Sequence, residues 1–193
     1  MEKSSPNPKH IVIVGGSFTG VGTAHRILKQ TLKNPTATPF KITLVTRDTH
    51  FFWNIAVTRG IIPGQFSDDD LFRPIIPGFA NYPVGLIEVV VGSLTSVDVE
   101  SKTLVVDGKT LDYDILILGT GTHVKGEDMP LKSLGSTEAN KTALHELQAK
   151  VQKAKRIAVI GGGPTGVSIA GELAYEYRQS KEIILVRIGS LFT

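Results

Sequence analysis

No cysteine occurs anywhere in the 193 residues, so they hold no disulfide framework, no thiolate metal site and no redox-active dithiol. Any electron chemistry must then come from a bound cofactor, because no remaining side chain stores an electron pair reversibly. Long apolar runs are also missing: nothing approaches the ~18 consecutive apolar residues of a membrane-spanning helix. Met1–Lys9 carries no apolar run ahead of the first strand, and Glu2 stands where N-myristoylation needs glycine, so neither a secretory signal nor that lipid is expected. Charge of one sign is scarce. Against 18 acidic residues stand 21 basic ones, and the net +3 is too small and too scattered for a nucleic-acid or membrane surface. The five histidines, His10, His25, His50, His123 and His145, are too dispersed to read as a metal site. A soluble cytoplasmic protein with no nucleic-acid partner, no transmembrane segment and no metal is the expectation.

What is present is an ordinary globular balance, 41% apolar and 20% charged, enough to bury a real core. Ile11-Val12-Ile13-Val14 is an unbroken β-branched run, as in strands buried on both faces of a parallel sheet. Glycines follow it, and Val21, Ala24, Ile27, Leu28 and Leu32 then recur at helical spacing. Lys41–Val45 reads as a second buried strand, which completes a β-α-β unit. Residues 51–85 are irregular and rich in aromatics and proline. Short strands are expected at Ile87–Val91, Thr95–Val99, Thr103–Val106 and Ile115–Leu118, with turns at Ser101-Lys102 and Asp107-Gly108. A helix is expected over 136–153. A second β-α-β unit follows: strand Arg156–Ile160, helix 164–178, strand Glu182–Val186. The chain thus repeats one architecture, a β-glycine loop-α-β unit at each end.

The chemistry sits in the two loops. In Gly15-Gly16-Ser17-Phe18-Thr19-Gly20 the first glycine makes the tight turn, and the last lets the helix pack close to the sheet. Ser17 replaces the glycine that lets the backbone approach a pyrophosphate, but it is small and can donate its hydroxyl. Gly161-Gly162-Gly163-Pro164-Thr165-Gly166 has all three required glycines, here Gly161, Gly163 and Gly166. Each loop opens a helix whose N-terminal N–H groups and positive dipole end suit phosphate charge. The ribose-binding acid belongs at the end of the second strand. There Asp48 could reach the ribose with Arg47 along the adenine, or both could be solvated loop charges; the residues leave the two open. In the second unit that place falls near Arg187, with no acid, which would suit a 2′-phosphate.

Taken with His50-Phe51-Phe52-Trp53-Asn54-Ile55-Ala56-Val57-Thr58-Arg59 and Tyr113–Thr122, these loops resemble a known family. It is the apoptosis-inducing-factor-like, mitochondrion-associated (ferroptosis-suppressor-like) group of FAD-dependent pyridine nucleotide oxidoreductases, in its fungal form. Type II NADH dehydrogenases are more distant kin. The resemblance runs from residue 9 to about 187. It implies FAD and NADH or NADPH as cofactors, with hydride passing from NAD(P)H to FAD and electrons onward to a quinone or similar acceptor. It also implies that Arg59 contacts the flavin diphosphate or ring edge, with Asn54 of the same segment among the cofactor-binding residues, and that Leu94 holds the adenine through its backbone. The Gly119-Thr120-Gly121 turn would close the flavin domain. Arg59 as a surface charge and Leu94 as core remain the alternatives.

One departure lies in Val167-Ser168-Ile169-Ala170-Gly171-Glu172, where Ser168 replaces the family's first glutamate. Glu172 is kept as a weak catalytic candidate, the alternative being an exposed helix acid paired with Arg178 or Lys181. The other departure is length: the family continues past this point, so a truncated member is expected, with dimerisation and peripheral membrane association left open. The fold expected is α/β: a Rossmann-like three-layer nucleotide fold, a parallel sheet with helices on its faces, a small antiparallel meander, and an incomplete second nucleotide fold. The domain layout expected is a tail over 1–8, a flavin domain over 9–128, a linker with helix over 129–155, and the start of an NAD(P) domain over 156–193. The alternative function is a non-catalytic flavin-binding fragment.

Overall fold

A computed structural model describes residues 7–34, 39–122 and 129–187. Most of the expected N-terminal tail, His123 and the segment 188–193 lie outside the described residues. The described chain divides into two compact units. The first takes in the chain through Phe52 together with Arg73–Thr122, and the second takes Trp53–Phe72 and the chain from His123 onward.

In chain order the elements open with β1 (Lys9–Val14), α1 (Phe18–Leu32), β2 (Phe40–Thr46) and β3 (His50–Phe52). The short helices α2 (Val57–Gly60) and α3 (Asp68–Leu71), the strand β4 (Phe72–Pro74) and a 3-10 turn at Ile76–Phe79 follow. These occupy the stretch that looked irregular from sequence; only β3 and β4 pair, as a two-stranded ribbon. Next come β5 (Ile87–Val91), β6 (Leu94–Asp98), β7 (Thr103–Val106), β8 (Lys109–Asp112) and β9 (Ile115–Leu118). The chain continues with α4 (Thr137–Lys153), β10 (Arg156–Ile160), α5 (Pro164–Tyr177) and β11 (Glu182–Val186).

The first unit is built on a four-stranded sheet in the order β5-β2-β1-β9, all parallel. Alternation along β1 divides its side chains between two layers. Ile11 and Ile13 join Ile42 and Leu44 against Ala24 and Leu28 of α1, with Ile75 and Phe79 closing the same cluster. Val12 and Val14 join Val45 on the opposite face, where Leu104 and Val106 cover them. Those two belong to the antiparallel meander β6-β7-β8. The three layers expected are therefore present, and the layer opposite α1 is a sheet where helices had been expected on both faces. The reason is the hairpin chemistry: Asp107 (φ 47°) and Gly108 (φ 78°) turn left-handed, which reverses the chain in two residues and leaves no room for a crossover helix.

The second unit pairs β10 with β11 in parallel, residue for residue from Arg156–Glu182 to Ile160–Val186. Helix α5 packs on β11, and α2 packs on α5. Ile62, Leu71, Leu144 and Leu173 are the largest side chains fully buried here. Helix α4 starts at Ser136, whose hydroxyl accepts the Ala139 N–H at 3.2 Å, satisfying one of the donors a helix N-terminus leaves open.

Candidate functional site

In the first unit the chain runs outward from β1 through β2 to β5, then returns to the other side of β1 as β9. Such a reversal opens a crevice at the carboxyl ends of the strands, and four of those ends are stitched together by backbone. The Gly15 N–H donates to the Val45 carbonyl at 2.8 Å, Gly119 to Val14 at 2.8 Å and Gly92 to Thr46 at 2.7 Å. Side chains would not fit. A Cβ on Gly15 (φ +130°) would strike the Gly119 carbonyl oxygen, one on Gly20 the Gly15 carbonyl oxygen, and one on Gly16 the Thr46 hydroxyl. One on Gly119 would lie 2.9 Å from the Thr19 methyl group. The loop thus presents backbone. Ser17, Phe18 and Thr19 at its tip are exposed.

Ser17 is the N-cap of α1, its side chain makes no capping bond, and the first turn carries no acidic residue. The turn's N–H groups and dipole therefore meet no carboxylate from the turn itself and no cap from Ser17, which is the donor set an anionic diphosphate needs. Phe18 meets the edge of Phe51, ring centres 4.9 Å apart. Thr120 and Gly121 (φ +71°) are exposed beyond β9.

Arg47 is exposed and Asp48 half-buried just past β2. The Asp48 N–H donates to the Thr46 hydroxyl at 3.3 Å, and that hydroxyl donates to the Asp48 carbonyl at 3.0 Å. Thr46 was not singled out from sequence, although it is the residue directly beyond the Gly15 anchor. Leu94 pairs with Val106 across the meander, beside a bulge, and its side chain packs on the layer holding Val12 and Val45. Asp107, expected from sequence only as a turn residue, also accepts the Ser93 N–H at 3.0 Å and so ties the hairpin tip to the start of β6.

The second unit repeats the construction. The Gly161 N–H (φ +123°) donates to the Val186 carbonyl at 2.8 Å. A Cβ on Gly166 would strike the Gly161 carbonyl oxygen, and Gly163 caps α5 with Pro164 in its first turn and no acid there. Thr165 is exposed on that turn.

Asn54, Arg59 and Glu172 all fall in this second unit. Asn54 donates to the Leu131 carbonyl at 3.1 Å. Arg59 is held as a fork: its Nε and one terminal nitrogen donate to the Gln65 carboxamide oxygen at 3.0 and 2.7 Å, and the other to Glu172 at 2.9 Å. Gln65 in turn donates to Glu176 at 3.2 Å. The partner of Glu172 is therefore Arg59, while the Arg178 and Lys181 charges lie over the rings of Tyr175 and Tyr177. No set of three or more histidine and carboxylate side chains among the described residues is arranged to hold a metal ion, and no helix among them is long and apolar enough to cross a membrane.

Comparison with known proteins agrees with this geometry. The family model described as pyridine nucleotide-disulphide oxidoreductase matches residues 9–191. Oxidoreductase ptaL of Pestalotiopsis fici is 55% identical over 185 residues, covering 94% of this chain and 49% of that protein. Ferroptosis suppressor protein 1 of Homo sapiens is 30% identical over 180 residues, covering 92% and 43%. Among solved structures, the sulfide:quinone oxidoreductase of Aquifex aeolicus superposes with a TM-score of 0.65 at 25% identity, covering 89% of this chain and 40% of that one. The chain spans about half the length, or less, of the curated relatives it matches.

Proposed function

The chain belongs to the pyridine nucleotide-disulphide oxidoreductase family, and from that premise we propose that it works as an FAD-dependent oxidoreductase, taking hydride from NADH or NADPH and passing electrons to a quinone-like acceptor. The observation that carries the reading is the doubled construction: two glycine loops, each anchored to its neighbouring strand and each opening a helix free of first-turn acids. FAD, when bound, supplies the two-electron chemistry that no side chain in a cysteine-free stretch offers.

What the chain itself contributes is binding and orientation. Gly15, Gly16 and Gly20 bring backbone to the diphosphate, while the N–H groups of Phe18 and Thr19 and the Ser17 hydroxyl donate to it. Arg47, Asp48 and the Leu94 backbone flank the adenosine, and Gly119, Thr120 and Gly121 line the crevice beyond β9. Asn54 and Arg59 serve the flavin diphosphate or ring edge, with Glu172 orienting the Arg59 guanidinium. Gly161, Gly163, Pro164, Thr165 and Gly166 receive the nicotinamide nucleotide. The sulfide:quinone relative supports a quinone-like acceptor.

A second reading is that these residues bind nucleotide without turning over. It is favoured by apolar surface left open on the second unit, where Ile160, Tyr175 and Val167 are 74%, 65% and 51% exposed. The visible spectrum of the purified chain, recorded with FAD and then anaerobically with NAD(P)H, separates the two. A flavin band that bleaches on adding the nucleotide supports the oxidoreductase; a band that persists supports binding alone. A colourless chain that cannot be reconstituted rejects both.

A further inference from the structure

Independently of the two glycine loops, we propose that the chain pairs with a second copy of itself along β5, strand against antiparallel strand about a two-fold axis at Val89. In the first unit's sheet β5 is an outer strand, with β2 on one side and no described strand on the other. The ladder fixes which of its groups face outward. The Ile42 N–H donates to the Leu86 carbonyl at 2.8 Å and the Gly92 N–H to the Thr46 carbonyl at 2.7 Å, with Ile42 opposite Ile87 and Thr46 opposite Val91. Alternate residues of a strand serve opposite neighbours, so Leu86, Glu88, Val90 and Gly92 bond to β2. The N–H and C=O groups of Ile87, Val89 and Val91 point the other way. The ligand that matches such a row is another extended backbone.

This edge lacks the usual protection. Free edges are blunted by lysine, proline or a bulge, whereas Ile87–Val91 has no lysine or proline and pairs with β2 without a break in register. Glu88 is the only charged residue between Arg73 and Asp98. Beside the strand lies an apolar hollow of about 400 Å³ lined by Ile76, Phe79, Tyr82, Val84, Ile87 and Val89. A second copy fits this surface in one register. With Val89 opposite Val89, each Ile87 faces a Val91, and every outward N–H and C=O group finds a partner. Val91, 45% exposed, then meets Ile87 on the wall of the other copy's hollow, a pairing of β-branched side chains. Glu88 falls opposite Val90 instead of the second Glu88, so the strand's one charge meets no like charge directly across. Two-fold pairing also closes the contact, because each copy uses the same strand to cover the other's.

The test is sedimentation velocity of the 193-residue chain across a wide range of concentration, where a reversible monomer–dimer equilibrium is expected. Val89→Pro removes an outward donor while leaving the β2 ladder intact, and should weaken the dimer about tenfold or more. Val91→Lys, at an exposed position, should weaken it likewise and serves if the proline variant fails to fold. The register is read separately. Because the chain has no cysteine, Val89→Cys introduces a single thiol that meets its own copy at about 5.5 Å between Cα atoms, within disulfide reach. Mild oxidation should therefore cross-link Val89→Cys, and Val84→Cys, more exposed but away from the axis, far less. A chain that stays monomeric, a dimer that Val91→Lys leaves unchanged, or equal cross-linking of the two cysteine variants overturns the inference. So does a monomer that captures an unrelated extended peptide at β5, the edge then serving a foreign strand.

Discussion

Glycine at a given position matters only through what its missing Cβ would touch. Gly20 and Gly22 lie two residues apart on α1, yet a Cβ on the first strikes the Gly15 carbonyl while a Cβ on the second meets nothing within 4 Å. The collision is with backbone, which cannot yield cheaply, so Gly20→Ala should destabilise by ~1–3 kcal/mol and abolish flavin retention. Gly22→Ala should stabilise by ~0.5–1 kcal/mol, the helix-propensity difference alone. Urea unfolding of the two variants checks the opposite signs, and a shared sign would refute the close approach drawn here. The Arg59–Glu172 pair is partly solvated, at 40% and 32% side-chain exposure. A double-mutant cycle on it should return only ~0.2–1 kcal/mol of stability coupling; a much larger value would mean the pair is buried in solution. The loop glycines were legible from their spacing. The pair was not, because its members are 113 residues apart and no local pattern marks either as the other's partner.

Among the elements, α4 shows how an end can be held from inside the helix. Ser136 caps it conventionally, but Asn140, one turn in and 2% exposed, binds the approaching chain. Its carbonyl oxygen accepts the Leu134 N–H and its amide donates to the Lys132 carbonyl, both at 2.9 Å. Removing a buried group with two such partners leaves both unsatisfied, so Asn140→Ala should cost ~2–3 kcal/mol. Ser136→Ala should cost only about 1 kcal/mol. Chemical denaturation would rank the two, and the reverse order would contradict the account. Sequence patterning located this helix to within a residue, because its apolar stripe is local. Asparagine is a poor helix former, and nothing near it in sequence announces that it serves the incoming loop.

Across the whole molecule, acid should act on the first unit through two histidines. Burial lowers the affinity of His10 for a proton, with the Lys41 charge adding to it. Burial does the same for His25, with Lys29 adding, and His25 is stacked on Phe79 and bonded to the Tyr82 hydroxyl at 2.9 Å. Both folded-state values lie below the ordinary 6.5, so the unfolded chain binds more protons as the pH falls through that region. The stabilisation is present above 6.5 and is lost on acidification. Urea midpoints should therefore fall between pH 7.5 and pH 5.5, and His25→Asn should flatten the dependence. An unchanged midpoint in the parent chain would contradict this. Two compact units also need not unfold together, so coincidence of near-UV and far-UV transitions should be examined before one free energy is assigned.

By itself the sequence determined what depends on near neighbours: the β-branched strands, the helical stripes, the two glycine loops and the left-handed turn at Asp107-Gly108. Periodicity and turn chemistry are local, and a family resemblance carried by those motifs is equally legible. Tertiary structure alone decided what depends on distant residues meeting. It laid the meander over the face opposite α1, assigned Trp53–Phe72 to the second unit and joined Arg59 to Glu172. Those outcomes follow from strand register and layer packing, in which each residue's partner is chosen by the fold as a whole.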